Sequence, residues 1–228
     1  MSQAIDRETM QEAAYRQIRA VLMSGGLAAG EKVTIRGLAG ELGMSWTPIR
    51  EAVRRLAAEG ALEVSPNRWI RVPNLSAEQL RELKTIRLML EGHAAARAAE
   101  GASAAFVAEQ WRLEADIVAW RGRDDPKGMI TRIARWHFAI YAAADMPHLV
   151  RMIEGLWLRT APHTHGLFPV FAAQDRGRHR QVTLKALAKR NGEAARRSME
   201  RDIGGALDYL IARAEESAVA ARRARGRM

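Results

Sequence analysis

The chain has no cysteine among its 228 residues. That excludes a disulfide scaffold, an iron–sulfur cluster and a thiolate zinc site, and it suits a reducing compartment. No run of about 18 apolar residues is present, so no transmembrane helix and no membrane partner are expected. The alanine-rich stretches around 94–99 and 142–144 are interrupted by charge. The first ten residues hold Asp6 and Glu8 and lack the apolar core of a signal peptide, so the expected location is cytoplasmic. Enzymatic signatures are missing as well. There is no glycine-rich phosphate loop, no nucleophile elbow and no His–Glu pair at metalloprotease spacing, and the expectation is that the chain is not an enzyme.

Acidic residues are in short supply, 26 against 36 Lys and Arg, for a formal net charge of +10. A basic protein favours polyanions such as nucleic acid. The excess is not where a simple reading would put it. Residues 1–75 carry 10 basic and 8 acidic side chains, whereas 76–228 carry 26 and 18, including Arg222, Arg223, Arg225 and Arg227 at the end. Charge alone therefore does not locate a DNA-binding surface, and pattern must.

The first half reads as a compact mixed unit. Tyr15, Ile18, Val21 and Leu22 recur at helical spacing over 7–24, and Gly25-Gly26 stops that helix. A loop follows, then a short helix over 35–42 with Leu38, Ala39 and Leu42 on its apolar side. Gly43 breaks it as a left-handed C-terminal residue. Ser45 is placed to cap the next helix, and Pro48 is tolerated in its first turn. That helix runs to about Glu59, with Ile49, Ala52, Val53 and Leu56 on one face and Arg50, Arg54 and Arg55 on the other. Residues 61–65 and 69–72 alternate as two strands around the turn Pro66-Asn67-Arg68. Pro73-Asn74 closes this unit, giving a domain over 1–74 and a second over 75–228. From Ser76 onward no strand is expected. Ser76 to Gln79 is a capping box opening a helix to about Ala99, whose stripe is Leu80, Leu83, Ile86, Leu90 and Ala94. Helices over 103–121, 128–144, 147–160, 171–190 and 192–218 follow. Residues 161–170 read as a loop in which His163 and His165 are surface residues, and the basic tail, 219–228, as frayed or disordered.

Short helix, glycine turn, second helix and hairpin make the plan of a winged helix-turn-helix, in which the second helix enters the major groove N-terminus first. Ser45, Trp46, Thr47 and Arg50 stand at its leading end, Arg54 lies one turn on, and Asn67 and Arg68 form the wing tip. Two readings stay open for Arg54 and Arg55, a phosphate contact or a solvated face. Trp46 is either an exposed contact or packed into the domain.

The stretch 38–56, with its core Thr47-Pro48-Ile49-Arg50-Glu51-Ala52, and the Pro66-Asn67-Arg68 wing resemble the GntR family of bacterial transcriptional regulators. The resemblance implies that Arg36, Thr47 and Arg50 contact operator DNA, with Ser45 and the wing assisting. Two residues depart from the family pattern: Trp46 replaces a usual arginine, and Trp69 a usual glycine. Tryptophan makes no bidentate contact to guanine, but it packs on a thymine methyl or a sugar.

The second half resembles the FCD effector domain of the FadR-type subfamily. Ile86-Arg87-Leu88-Met89-Leu90-Glu91 matches its first helix, and Trp136-His137-Phe138-Ala139-Ile140-Tyr141 its central one. The resemblance implies a mainly α protein, a winged helix-turn-helix followed by an all-α bundle. It further implies a homodimer on palindromic operator DNA, acting as a repressor or activator under a small-molecule effector. The alternative is a helical domain that only dimerises. Many such domains hold a divalent metal through one Asp and three His. Here His137 alone matches, and Ile133, Arg180 and Asp202 fall at the other ligand positions. His179 points away unless the helix register shifts by one. No metal or other cofactor is therefore expected. The same replacements point to an anionic effector, a carboxylate for example, met by Arg87, His137, Tyr141, Arg180 and Asp202. Against this, Arg87 can pair with Glu91 and Arg180 with Asp202, and His137 can be a satisfied buried histidine.

Overall fold

The computed structural model describes residues 9–65, 69–167 and 177–225. It has the expected architecture, a small winged unit followed by a helical bundle. Helix α1 (Met10–Met23) starts where the Thr9 hydroxyl accepts the Glu12 N–H, and it buries Ala14, Tyr15, Ile18 and Leu22. These meet Pro48, Ile49, Ala52, Val53 and Leu56 of α3 (Trp46–Ala58). Between them α2 (Ile35–Leu42) adds Leu38 and Ala39 and ends at Gly43, whose φ of 63° is the left-handed conformation the sequence predicts. Ser45 holds the N-cap position of α3, but its hydroxyl makes no capping bond.

The wing is part of a three-stranded sheet. β1 (Lys32–Thr34), β2 (Glu63–Val64) and β3 (Trp69–Arg71) assemble in the order β1-β3-β2, all antiparallel, with Val33 and Val64 on either side of Ile70. The sequence does not betray β1: three residues with one apolar side chain are too short for alternation to register. Pairing with β3 completes the hydrogen bonds of this segment and hands the chain directly to α2.

The helical domain opens with α4 (Ala77–Glu100), and Ser76 and Gln79 form the expected capping box. It continues through α5 (Ala104–Trp120), α6 (Pro126–Ala142), α7 (Pro147–Thr160), a 3-10 helix (Ala161–Leu167), α8 (Gly177–Ala188) and α9 (Gly192–Arg225). Three expectations are corrected. The loop assigned from 161 begins as helix. The terminal residues described, to Arg225, continue α9 rather than fray. The buried face of α4 is rotated: Ile86 and Leu90 are only half-buried, while Arg87 and Glu91 are buried. The reason is that α4 is central, packed along its length by α9 and on other sides by α6, α7 and α8. The helix expected over 171–190 is described from Gly177 only.

The two cores meet. Leu158 of α7 packs into the core of the winged unit. A Cβ on Gly25, just after α1, would come within 3.1 Å of Ile130 in α6. Arg19 of α1 pairs with Glu154 of α7 at 2.8 Å. His163 is not a surface residue. It is half-buried, and its Nε2 accepts the N–H of Leu75, in the segment joining the domains, at 3.3 Å. The side chain of His165 lies outside the described residues.

Candidate functional site

One candidate site is the leading end of α3. Ser45, Trp46, Thr47 and Arg50 are all exposed, and Arg36 of α2 is exposed beside them in the same motif. Trp46 is 56% exposed, which decides between the two readings of that residue: it is not packed into the domain. The arginines on α3 have separate fates. Arg55 bonds Glu12 and Glu59 and lies 3.6 Å over the ring of Tyr15, so it fastens α3 to α1. Arg54 is paired with Glu51 at 2.9 Å on the surface. Arg50 and Arg36 have no carboxylate partner among the described residues, and their guanidinium forks stay available for bases or phosphates. At the base of the wing Trp69 is flanked by cations, Lys32 Nζ at 5.2 Å and Arg71 at 5.4 Å from its ring centre. Asn67 and Arg68 lie outside the described residues.

The second candidate is a cavity of about 60 Å³ in the helical domain, several times what one water molecule needs. Its polar lining is Arg87, His137, Arg180 and Asp202, with Thr160 and Thr164. Its apolar lining includes Ile130, Ile133, Ile203, Leu207 and Leu210. Four of the five effector residues expected from sequence thus converge. Tyr141 does not line the space. It is fully buried behind it and donates to Glu91. Burial, with the Glu91 charge, pushes its phenol well above the ordinary value, so it stays a donor.

Each basic group in the cavity already has a carboxylate. Arg87 Nε donates to Glu91 at 2.5 Å and its Nη1 to Thr160 at 2.9 Å, while its guanidinium lies over Trp157. Trp157 Nε1 also donates to Glu91, at 2.9 Å, so that fully buried carboxylate is satisfied from three side chains. Arg180 does not pair with Asp202. Its Nε donates to Glu114 of α5 at 2.5 Å, and both partners are buried. Asp202 instead faces His137 Nε2 at 3.0 Å, while His137 Nδ1 lies 2.8 Å from the Ile133 carbonyl. Burial raises the Asp202 carboxyl, but the hydrogen bond and charge of His137, with Arg180 beyond, outweigh it and hold the group below its usual range.

This donor set does not fit a divalent metal. Ile133 offers no ligand atom, the Arg180 guanidinium occupies a cationic position, and both nitrogens of His137 are engaged. His179 is not among the residues lining the cavity. Among the described residues no three His, Asp or Glu side chains converge as ligands. Sequence reasoning missed Glu114, which stands 66 residues from Arg180 and shows no local pattern that announces it.

A recognition helix that exposes Trp46, Thr47 and Arg50 at its leading end, a sheet-based wing and an attached bundle with a cavity define a DNA-binding transcriptional regulator. The comparisons carry this to the family. Residues 10–72 match the family of "Bacterial regulatory proteins, gntR family", and residues 82–205 match the FCD domain. The HTH-type transcriptional regulator McbR of Escherichia coli K12 is 34% identical over 178 residues, covering 77% of this chain and 80% of that protein. The solved structure of E. coli McbR/YncC superposes with a TM-score of 0.84 at 29% identity, over 90% of this chain and 99% of that one. A GntR regulator from Rhodococcus sp. RHA1 shares the fold, with a TM-score of 0.71 at 19% identity over 89% of this chain and 97% of that one. The chain belongs to the gntR family of bacterial regulators, in its FadR-type branch with an FCD domain. No helix among the described residues is long and apolar enough to cross a membrane.

Proposed function

We propose that the protein binds a palindromic operator as a homodimer and that a small amphipathic metabolite in the helical cavity modulates this binding. The observation that carries the reading is the pairing of exposed Arg36 and Arg50, with no carboxylate partner among the described residues, with a cavity of mixed polar and apolar lining in the adjoining domain. The effector has a short apolar body for the isoleucine and leucine wall. It has one polar end, a carboxylate in the preferred case, for the outer edges of Arg180 and His137. Because the guanidiniums are already neutralised, such a guest competes for charge rather than meeting a bare cation. No divalent metal takes part, and elemental analysis of untreated protein giving one equivalent would overturn that point.

Homodimerisation is supported by α5. Its exposed side carries Ala104, Ala108, Trp111, Ala115 and Val118, a 4-3-4-3 spacing that forms one continuous apolar seam. Glu109 and Arg112 beside it pair with each other at 2.6 Å, leaving no unbalanced charge to repel an identical helix. A second copy suits this seam because two recognition helices must reach successive half-sites.

The test is selection of duplexes from a random pool, followed by mobility shifts at fixed salt. A palindromic motif is expected, and Arg50→Ala should cost roughly 1–3 kcal/mol per half-site on it without unfolding the protein. Unselective binding, or binding indifferent to Arg50→Ala, defeats the operator reading. Thermal-shift screening with short-chain carboxylates tests the cavity. A ligand that stabilises the protein and changes operator affinity supports it, and stabilisation without any effect on DNA favours a helical domain that only dimerises.

A further inference from the structure

The end of α9 is not absorbed by either site. Helices α4 and α9 run antiparallel, as Lys84–Asp208 and Arg81–Glu215 ion pairs show. Extending that register places Ala77, the first residue of α4, level with Ser217 and Ala218. The same level is marked by a groove in which Ser217 and Ala218 stand with Ser76 and Asn74 of the connecting segment and with Ala28 and Ala29 of the winged unit. Helix α9 nevertheless continues to Arg225. The overhang is about seven residues, roughly 10 Å at the helical rise, and it carries the chain past the domain junction to the level of the DNA-binding unit.

After Glu216 the sequence holds Arg222, Arg223, Arg225 and Arg227 and no acidic residue. Residues 219–223 are exposed. Arg222 and Arg223 have no carboxylate partner among the described residues. Some arginines on exposed helix faces elsewhere in this domain do, such as Arg97 with Glu100 and Arg197 with Glu193. The overhang therefore concentrates unbalanced positive charge beside the unit that approaches DNA. Its apolar content is alanine and one exposed valine, Val219, too little for the core of a protein interface or the buried face of a membrane-surface helix.

We propose that the C-terminal turns of α9 are an auxiliary DNA contact, in which Arg222 and Arg223, followed in the sequence by Arg225, lie against backbone phosphates flanking the half-site read by α3. The inference rests on the DNA-binding reading above. Guanidiniums suit phosphate oxygens through charge-assisted, forked hydrogen bonds. Contacts of this kind add affinity and carry no base information. They also release condensed counterions, which gives them a salt signature of their own.

The experiment uses the full chain with R222Q, R223Q and R225Q combined, since glutamine keeps helix propensity while removing charge. The probes are a duplex selected by the wild-type protein and an unrelated duplex of equal length, each titrated with salt. Affinity for both should fall by a similar factor, leaving their ratio unchanged. The slope of log K against log salt should become shallower by about 0.9 for each phosphate contact given up. Arg50→Ala should do the reverse, weakening the selected duplex while sparing the unrelated one. Unchanged affinity and slope in the triple variant, with wild type binding normally, overturn the inference and leave the operator reading standing. A triple variant that falls apart into monomers on sedimentation assigns the overhang to a contact between copies and overturns it too. Wild-type protein that selects no duplex overturns both readings.

Discussion

Residue by residue, the same side-chain type does different work according to what it meets. Arg50 is exposed with no carboxylate partner among the described residues, Arg55 lies on Tyr15 and ties two helices, and Arg180 is sealed against Glu114. These fates have unequal energetic consequences. An exposed pair such as Arg54–Glu51 contributes under about 1 kcal/mol. Removing one partner of a buried pair leaves a charge without water or counterion, at a cost of roughly 3–5 kcal/mol. Urea unfolding of Glu114→Gln should show a loss of that size, and Glu114→Leu combined with Arg180→Met should recover much of it. A loss under about 1 kcal/mol for Glu114→Gln would mean that Arg180 escapes to solvent. Trp46 is the residue that most separates this chain from its family pattern. It stands 56% exposed on the first turn of the recognition helix, where a bidentate donor is usual. Trp46→Arg should move the motif selected from a random duplex pool toward guanine at the contacted position. Identical motifs for the two proteins would show that Trp46 touches no base.

At the scale of elements, what the sequence makes legible is what is local. Gly43, the apolar face of α3 and the Ser76–Gln79 box each follow from neighbouring residues, and each stands as expected. What is non-local is lost. β1 exists because β3 is there to pair with it. The polar side of α4 is buried because other helices surround it, which inverts the simple stripe and turns Arg87 and Glu91 into core residues. In the cavity the sequence correctly groups Arg87, His137, Arg180 and Asp202, because their positions follow the helical pattern of the family. It pairs Arg87 with Glu91 as the structure does, but it mispairs Arg180, whose partner comes from α5, a helix with no local pattern that points to it. That same helix offers the seam assigned to the second copy. Trp111→Glu places a charge in the middle of it, where two identical seams would bring two carboxylates together. Sedimentation should show a shift toward monomer, with the fold retained, since Trp111 contributes to no buried core. A dimer of unchanged stability would move the interface elsewhere.

Across the whole molecule, the cavity and the DNA-binding unit share a wall. Ala161 and Thr164, which line the cavity, flank Pro162 and His163 in the 3-10 helix. His163 in turn takes the N–H of Leu75, at the start of the helical domain. Leu210 faces both the cavity and the groove at the junction. A guest that shifts the 3-10 helix therefore acts on the segment that sets the placement of the winged unit, and it does so only through different affinities for the two placements. The latch also has a pH sense. Nε2 accepts from Leu75 only when it carries no proton. Burial lowers the imidazole below its ordinary value of 6.5, more than the nearby carbonyls of Pro73, Arg159 and Thr160 raise it. A group whose folded value is depressed binds more protons in the unfolded chain, so stability rises with pH between the two values. The contribution of neutral His163 is complete above about pH 6.5 and is lost as pH falls toward the folded value. His163→Gln keeps an acceptor for Leu75 but does not titrate. Unfolding free energies of the two proteins should run parallel above neutrality and diverge below it, with wild type the steeper, and amide exchange at Leu75 should quicken in wild type alone. Parallel curves down to pH 5 would show that this histidine stays neutral throughout or holds nothing.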